Sequence, residues 1–199
     1  MKKRNGGTKI YYIYLFRHGQ TYYNKKRIFT GWKDSDLTPL GINQAKVIAQ
    51  KLKNKKIDVA FQTDLSRSKD TLKEVLKYHS ECKEIITVNG MVERSYGKLE
   101  GKHHDTIIKK YGKEQFETWH RSYNISPPKG ESFVMVEKRV KIFIKDLKKF
   151  IEKEKVNVAI SGHGNSIRIF RKIMENKSKS DVTKWFIPYD KVFVYKIRA

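Results

Sequence analysis

Two histidines in this chain each follow directly on an apolar run. Ile10 to Phe16 leads into Arg17-His18-Gly19, and Val156 to Ile160 leads into Ser161-Gly162-His163-Gly164. A third apolar run, Ile57 to Phe61, is followed after a short loop by Arg67. If these runs are strands of one sheet, the polar residues behind them converge, because open α/β sheets bind ligands at the carboxyl ends of their strands. The chemistry open to such a cluster is phosphoryl transfer: a neutral imidazole attacks phosphorus while flanking guanidiniums neutralise the equatorial oxygens. His18 must be neutral to attack. One ring nitrogen must therefore be held as a donor, most simply by a nearby backbone carbonyl, with the other lone pair aimed at phosphorus. Gly19 is expected to let the backbone approach the ligand closely. The competing reading of His18, a core histidine satisfied by a carbonyl, loses ground once a second strand-end histidine joins it.

The elements that must position these residues can be read from periodicity. Ile10 to Phe16 is nearly all apolar, as a strand covered on both faces should be. Thr38 has the look of an N-cap with Pro39 at the first helical position, and Ile42, Ala45, Ala49 and Leu52 then share a face. Ile57 to Phe61 is a second buried strand. Leu72, Val75, Leu76 and His79 mark the inner face of the next helix, and Ile85 to Val88 forms another strand. From Gly101 to the Pro127-Pro128 break the chain is polar and helical in patches, a region expected over the sheet. Apolar residues at 136, 140, 143, 144, 147 and 151 give a long helix beneath it. Val156 to Ile160, a helix from Ser166 to Glu175 and a strand from Val192 to Ile197 complete the chain. Strands alternating with helices predict a three-layer α/β/α sandwich with a mostly parallel sheet.

Length and composition agree. The 199 residues suit one domain spanning 1–199, with 1–7 expected to be loose. Apolar residues at 38% and aromatics at 12% are too many for a disordered chain. The lone cysteine, Cys82, cannot form an internal disulfide, so a cytoplasmic location is expected. The basic start ahead of Ile10 lacks a small-residue cleavage site, and no run reaches the roughly 18 apolar residues of a membrane helix. Net charge is +23, yet only ten of the 44 basic residues are arginine, and the lysines lie along helical stretches where they suit solvated faces. No specific nucleic-acid partner and no membrane are expected. A catalytically silent polyanion-binding protein is the remote alternative to an enzyme.

The motifs carry a resemblance. RHGQT at 17–21, Asn24, Arg27, FTGWKDSDLTPLG at 29–41, DLSRSKDT at 64–71, ERSYGKLEGK at 93–102, KYGKEQFETWHRSY at 110–123 and GHGNSIR at 162–168 together resemble the cofactor-dependent phosphoglycerate mutases of the histidine phosphatase superfamily. The likeness runs from Ile10 to Ile197. It implies that His18 is the nucleophile that becomes phosphohistidine, that Arg17, Arg67 and His163 clamp the transferring phosphoryl group, and that Glu93 gives and takes the proton. Asn24, Thr30, Gly31, Arg94, Tyr96 and Arg121 match residues that hold substrate, with Gly164 and Asn165 completing the phosphate site. No metal is implied, because guanidiniums and imidazoles supply the positive charge. The partner implied is a small phosphoglycerate-like metabolite, and a homo-oligomer is compatible with the resemblance.

The departures bear on which reaction wins. His104 stands where the mutases have a substrate-binding lysine, although Lys102 is near, and His120-Arg121 replaces a pair of arginines. The chain passes from Pro127-Pro128 straight through KGES, a hydrolase-like stretch, where the mutases insert a further segment, and it is expected to lack their trailing C-terminal segment. Hydrolysis of a phosphomonoester through phosphohistidine, with weak mutase activity and no cofactor, is the favoured expectation. The alternative is a genuine mutase that interconverts 3- and 2-phosphoglycerate with 2,3-bisphosphoglycerate as phosphoryl primer.

Overall fold

The computed structural model describes residues 8–199, and the expectation of a loose start at 1–7 lies outside them. In chain order the elements are β1 (Ile10–Arg17), α1 (Tyr22–Lys25), α2 (Pro39–Leu52), β2 (Val59–Gln62), α3 (Ser66–Leu76), β3 (Glu84–Thr87), α4 (His104–Tyr111), α5 (Lys113–Arg121), α6 (Phe133–Glu154), β4 (Val158–Gly162), α7 (Gly164–Met174), α8 (Lys179–Val182) and β5 (Val192–Arg198). The strands form one sheet in the order β3-β2-β4-β1-β5, with β5 antiparallel to β1 and the other pairings parallel.

Successive strand side chains point to opposite faces, so a strand buried on both faces must be apolar throughout. Ile13 and Leu15 of β1 join Val158 and Ile160 of β4 in a core with the inner faces of α6 and α7. Tyr14 and Phe16 turn the other way, with Ala60 and Ala159, onto Ile48 and Leu52 of α2 and Leu72 and Val75 of α3. Helices on both faces give the expected three-layer α/β/α sandwich. A third cluster of Phe29, Tyr96, Leu99, Ile107 and Phe116 brings α4 and α5 together as a separate cap.

Local differences from the periodicity reading have simple causes. Ile42 is exposed, and the inner face of α2 runs instead through Gly41, Ala45, Ile48, Ala49 and Leu52. His79 lies beyond the end of α3, buried and bonded to Glu81 through Nδ1. Helix α7 starts at Gly164, two residues earlier than Ser166, because the Ser166 hydroxyl accepts from the His163 N–H and holds the first turn. Gly19 serves packing: a Cβ there would run into the backbone of Gly41, and one on Gly41 would meet the Gln20 carbonyl, so the paired glycines let α2 close against the turn after β1.

Candidate active site

The register of β1 and β4 brings the two histidines together. Phe16 pairs with Ser161 and Arg17 with Gly162, so His18 and His163 leave the sheet side by side, and the His18 N–H donates to the Gly162 carbonyl at 3.0 Å. Their ring centroids are 5.0 Å apart. Nδ1 of His18 lies 2.7 Å from the Gly19 carbonyl. A carbonyl can only accept, so Nδ1 carries the proton and Nε2 presents its lone pair. His163 is placed from the neighbouring strand: its Nε2 lies 2.8 Å from the Thr63 hydroxyl just beyond β2. In the tautomer in which that hydroxyl donates to Nε2, Nδ1 of His163 is the proton-bearing atom.

Burial, then Arg67, keeps both rings well below their ordinary pKa, with Arg17 acting in the same sense. Both are therefore neutral near pH 7, as a nucleophilic imidazole must be. The same burial links acid to stability. An unfolded chain protonates each ring near pH 6.5, whereas the folded one resists down to its lowered value. Stability is thus insensitive to these rings above pH 6.5 and falls as pH drops below it, by about 1.4 kcal/mol per pH unit for each ring. Urea unfolding at pH 7.5 and 5.5 should show a clearly lower midpoint at the acid pH; equal midpoints would contradict neutral buried rings.

Two arginines flank the pair. Arg67, fully buried in the first turn of α3, donates from Nη1 to the Lys33 carbonyl at 2.9 Å and from Nη2 to the Gly31 carbonyl at 2.7 Å, with Asp34 at 3.7 Å. Gly31 offers that carbonyl from a left-handed conformation (φ +55°), and a Cβ there would strike the Glu100 carboxylate. Arg17 donates from Nη1 to the Ile187 carbonyl at 2.9 Å and lies 4.0 Å from the centre of the Tyr189 ring. Arg17 Nε and His163 Nδ1 are buried and bonded to nothing among the described residues. An orphaned buried donor is costly, and Arg17 borders the cavity beside His18.

Glu93 approaches from the loop before the cap. Its Oε1 accepts from the Arg94 N–H at 2.8 Å and the Asn165 N–H at 3.0 Å, leaving Oε2 free to exchange a proton. The Glu93 carbonyl is held from behind by Trp32 Nε1 at 2.8 Å and Arg139 Nη2 at 3.1 Å. Arg139 also bonds both carboxylate oxygens of Glu131, whose Oε2 accepts from the Ser95 N–H. The Glu of the KGES stretch therefore braces the loop that carries Glu93.

One cavity of about 280 Å³ is bordered by Arg17, His18, Asn24, Thr30, Gly31, Arg67, Glu93, Tyr96, Gly164 and Asn165. His163 packs against the His18 ring and does not border the cavity. Two expected substrate-binding residues are turned away. Arg94 is fully buried, with Nη2 donating to the Trp119 and His120 carbonyls, and Arg121 donates to the Thr183 carbonyl at 3.1 Å. His104 and His120 do reach the wall, packed among Phe29, Tyr96 and Phe116. Burial lowers His104 to about 4 and His120 to about 2, so both are uncharged near neutral pH. Arg168, the last residue of the GHGNSIR motif but given no role there, and Tyr189, which carried no signal, are also on the wall. Arg168 Nη1 donates to Asn165 Oδ1 at 2.6 Å, and its Nε to the Trp185 carbonyl at 2.7 Å.

Comparisons with known proteins agree with this arrangement. The chain is 37% identical over 192 residues to the 2,3-bisphosphoglycerate-dependent phosphoglycerate mutase of Mesorhizobium japonicum, covering 94% of this chain and 92% of that one. So close a span leaves no room for a long insertion, and the directness of the KGES passage therefore does not set this chain apart from that protein. Its fold is similar to the phosphoglycerate mutase of Bacillus anthracis (TM-score 0.79, 23% identity, 96% and 92% of the two chains). It is also similar to a putative alpha-ribazole-5'-P phosphatase of Escherichia coli (TM-score 0.76, 20% identity, 95% and 97%). The pattern of the histidine phosphatase superfamily (branch 1) matches residues 13–198, from the middle of β1 to the end of β5. With paired strand-end histidines between two arginines and this match over nearly the whole chain, the protein belongs to the histidine phosphatase superfamily, whose enzymes work through phosphohistidine.

Proposed function

We propose that the protein is a phosphatase that hydrolyses a small phosphomonoester in two transfers through His18. Nε2 of His18 attacks phosphorus in line with the ester oxygen, the P–O bond breaks, and the Glu93 carboxyl protonates the departing alkoxide. Arg17 and Arg67 bind the equatorial oxygens, whose charge spreads in the transition state, and His163 packs against the His18 ring and positions it. The bond from Nδ1 of His18 to the Gly19 carbonyl stabilises the positive charge the ring gains. Water then attacks the phosphohistidine, Glu93 takes its proton, and the P–N bond breaks to give inorganic phosphate and restore neutral His18. Asn24, Thr30, Gly31, Tyr96, Gly164 and Asn165 hold the ester. Arg94 and Arg121 support the wall from behind.

The observation that favours water as the acceptor is the pair of uncharged rings, His104 and His120, on the far wall. The residues here fit one phosphoryl group; toward the second acidic group of 2,3-bisphosphoglycerate the cavity offers Arg168 and exposed Arg27 rather than cations at positions 104 and 120. His104 and His120 are neutral, and Arg168 has Nε and Nη1 engaged by the Trp185 carbonyl and Asn165. A product held weakly there leaves before the phosphoryl can return to it. The second reading, a mutase primed by 2,3-bisphosphoglycerate, is favoured by the similarity to the Mesorhizobium protein. Given 3-phosphoglycerate with and without 2,3-bisphosphoglycerate, the protein should release inorganic phosphate faster than it forms 2-phosphoglycerate. Stimulated formation of 2-phosphoglycerate that outruns phosphate release would make it a mutase.

A further inference from the structure

The far wall has a positive character of its own, which is aromatic. Phe29 lies 4.6 Å from Tyr96, 4.3 Å from His104 and 5.7 Å from His120, centroid to centroid, and all four rings border the cavity. Phe116 backs them at 5.7 Å from Phe29. The wall begins beside the proton donor: Asn165 bonds Glu93 through its N–H and the Tyr96 hydroxyl through Nδ2 at 3.3 Å. Across the cavity Phe186 borders the same space while 67% exposed. Large exposed apolar side chains on a cavity rim mark a place where apolar ligand surface is received.

Resting on the phosphohistidine reading, we infer that the preferred substrate is a phosphomonoester whose alcohol portion carries a neutral planar ring, seated against Phe29, Tyr96, His104 and His120, rather than a second acid group. Stacked and edge-on ring contacts supply the attraction, and the apolar surface gains by leaving water. A carboxylate seated against these four rings would lose hydration that the uncharged rings do not replace. The arginines nearby stand at the margin of the ring cluster and make bonds of their own while keeping their charge: Arg168 to Asn165 and the Trp185 carbonyl, exposed Arg27 to Asp105 at 3.2 Å, and Arg121 to the Thr183 carbonyl. The size of the cavity limits the ring system to a small one.

Benzyl phosphate and 3-phosphoglycerate test this, because both release a primary or benzylic alkoxide that needs Glu93, so leaving-group chemistry does not decide the ranking. Their kcat/KM values should differ by about 10-fold or more in favour of benzyl phosphate, the scale of apolar pocket discrimination. His120→Arg should narrow that ratio and His120→Phe should keep it. A ratio below about 10-fold, with His18 still phosphorylated by both esters, overturns the ring preference and leaves the phosphohistidine reading standing. Failure of both esters to phosphorylate His18 overturns both.

Discussion

Alanine in place of His18 should lower kcat on every phosphomonoester by about 10⁴-fold or more, the scale of losing a covalent nucleophile that acts as one unit with its partners. Nothing near it can take over. His163 is tied through Nε2 to Thr63 and does not border the cavity, and the arginines are cations. The loss should not come from unfolding, because the substitution removes a ring that the fold holds neutral at a cost in acid. The variant should therefore keep its circular dichroism and become less sensitive to low pH than the parent. Turnover of benzyl phosphate at the parent rate would remove His18 from the mechanism.

Glu93→Gln should cost roughly 100-fold or more on an alkyl phosphate, within the range of general acid catalysis, and markedly less on a nitrophenyl ester when phosphorylation limits turnover. The substitution is close to isosteric. A Gln Oε1 can still accept from the Arg94 and Asn165 N–H groups, and the Glu93 carbonyl keeps Trp32 and Arg139. What is lost is the proton at the second oxygen. An alkoxide cannot leave without it, whereas nitrophenolate leaves largely unaided. Single-turnover measurements of His18 phosphorylation separate the two esters, and equal losses on both would mean that Glu93 does not donate the proton.

Much of this was legible because strand ends announce themselves. Doubly buried strands must be apolar without alternation, so the polar residues after Phe16 and Ile160 stood out, and parallel pairing of β1 with β4 turns that juxtaposition in the sequence into one in space. The carbonyl that the chemistry of His18 asks for is found at Gly19. Orientation was less legible. Arg94 and Arg121 have the residue type of substrate ligands, but backbone carbonyls of α5 and of the turn after α8 hold their guanidiniums away from the cavity. Arg168 closes the GHGNSIR motif without a role of its own until the fold sets it over Asn165. His104 and His120 were readable as missing cations, yet only the Phe29 cluster shows why they stay uncharged: their rings are buried against other rings.

The most direct measurement is rapid mixing with a ³²P-labelled phosphomonoester, quenching without acid, and mapping of the label by peptide. Phosphoryl transfer through His18 predicts acid-labile, alkali-stable label on the peptide that contains His18, formed at least as fast as turnover and absent from His18→Ala. Phosphate release with no label on the protein, or with the label on another residue, would contradict it.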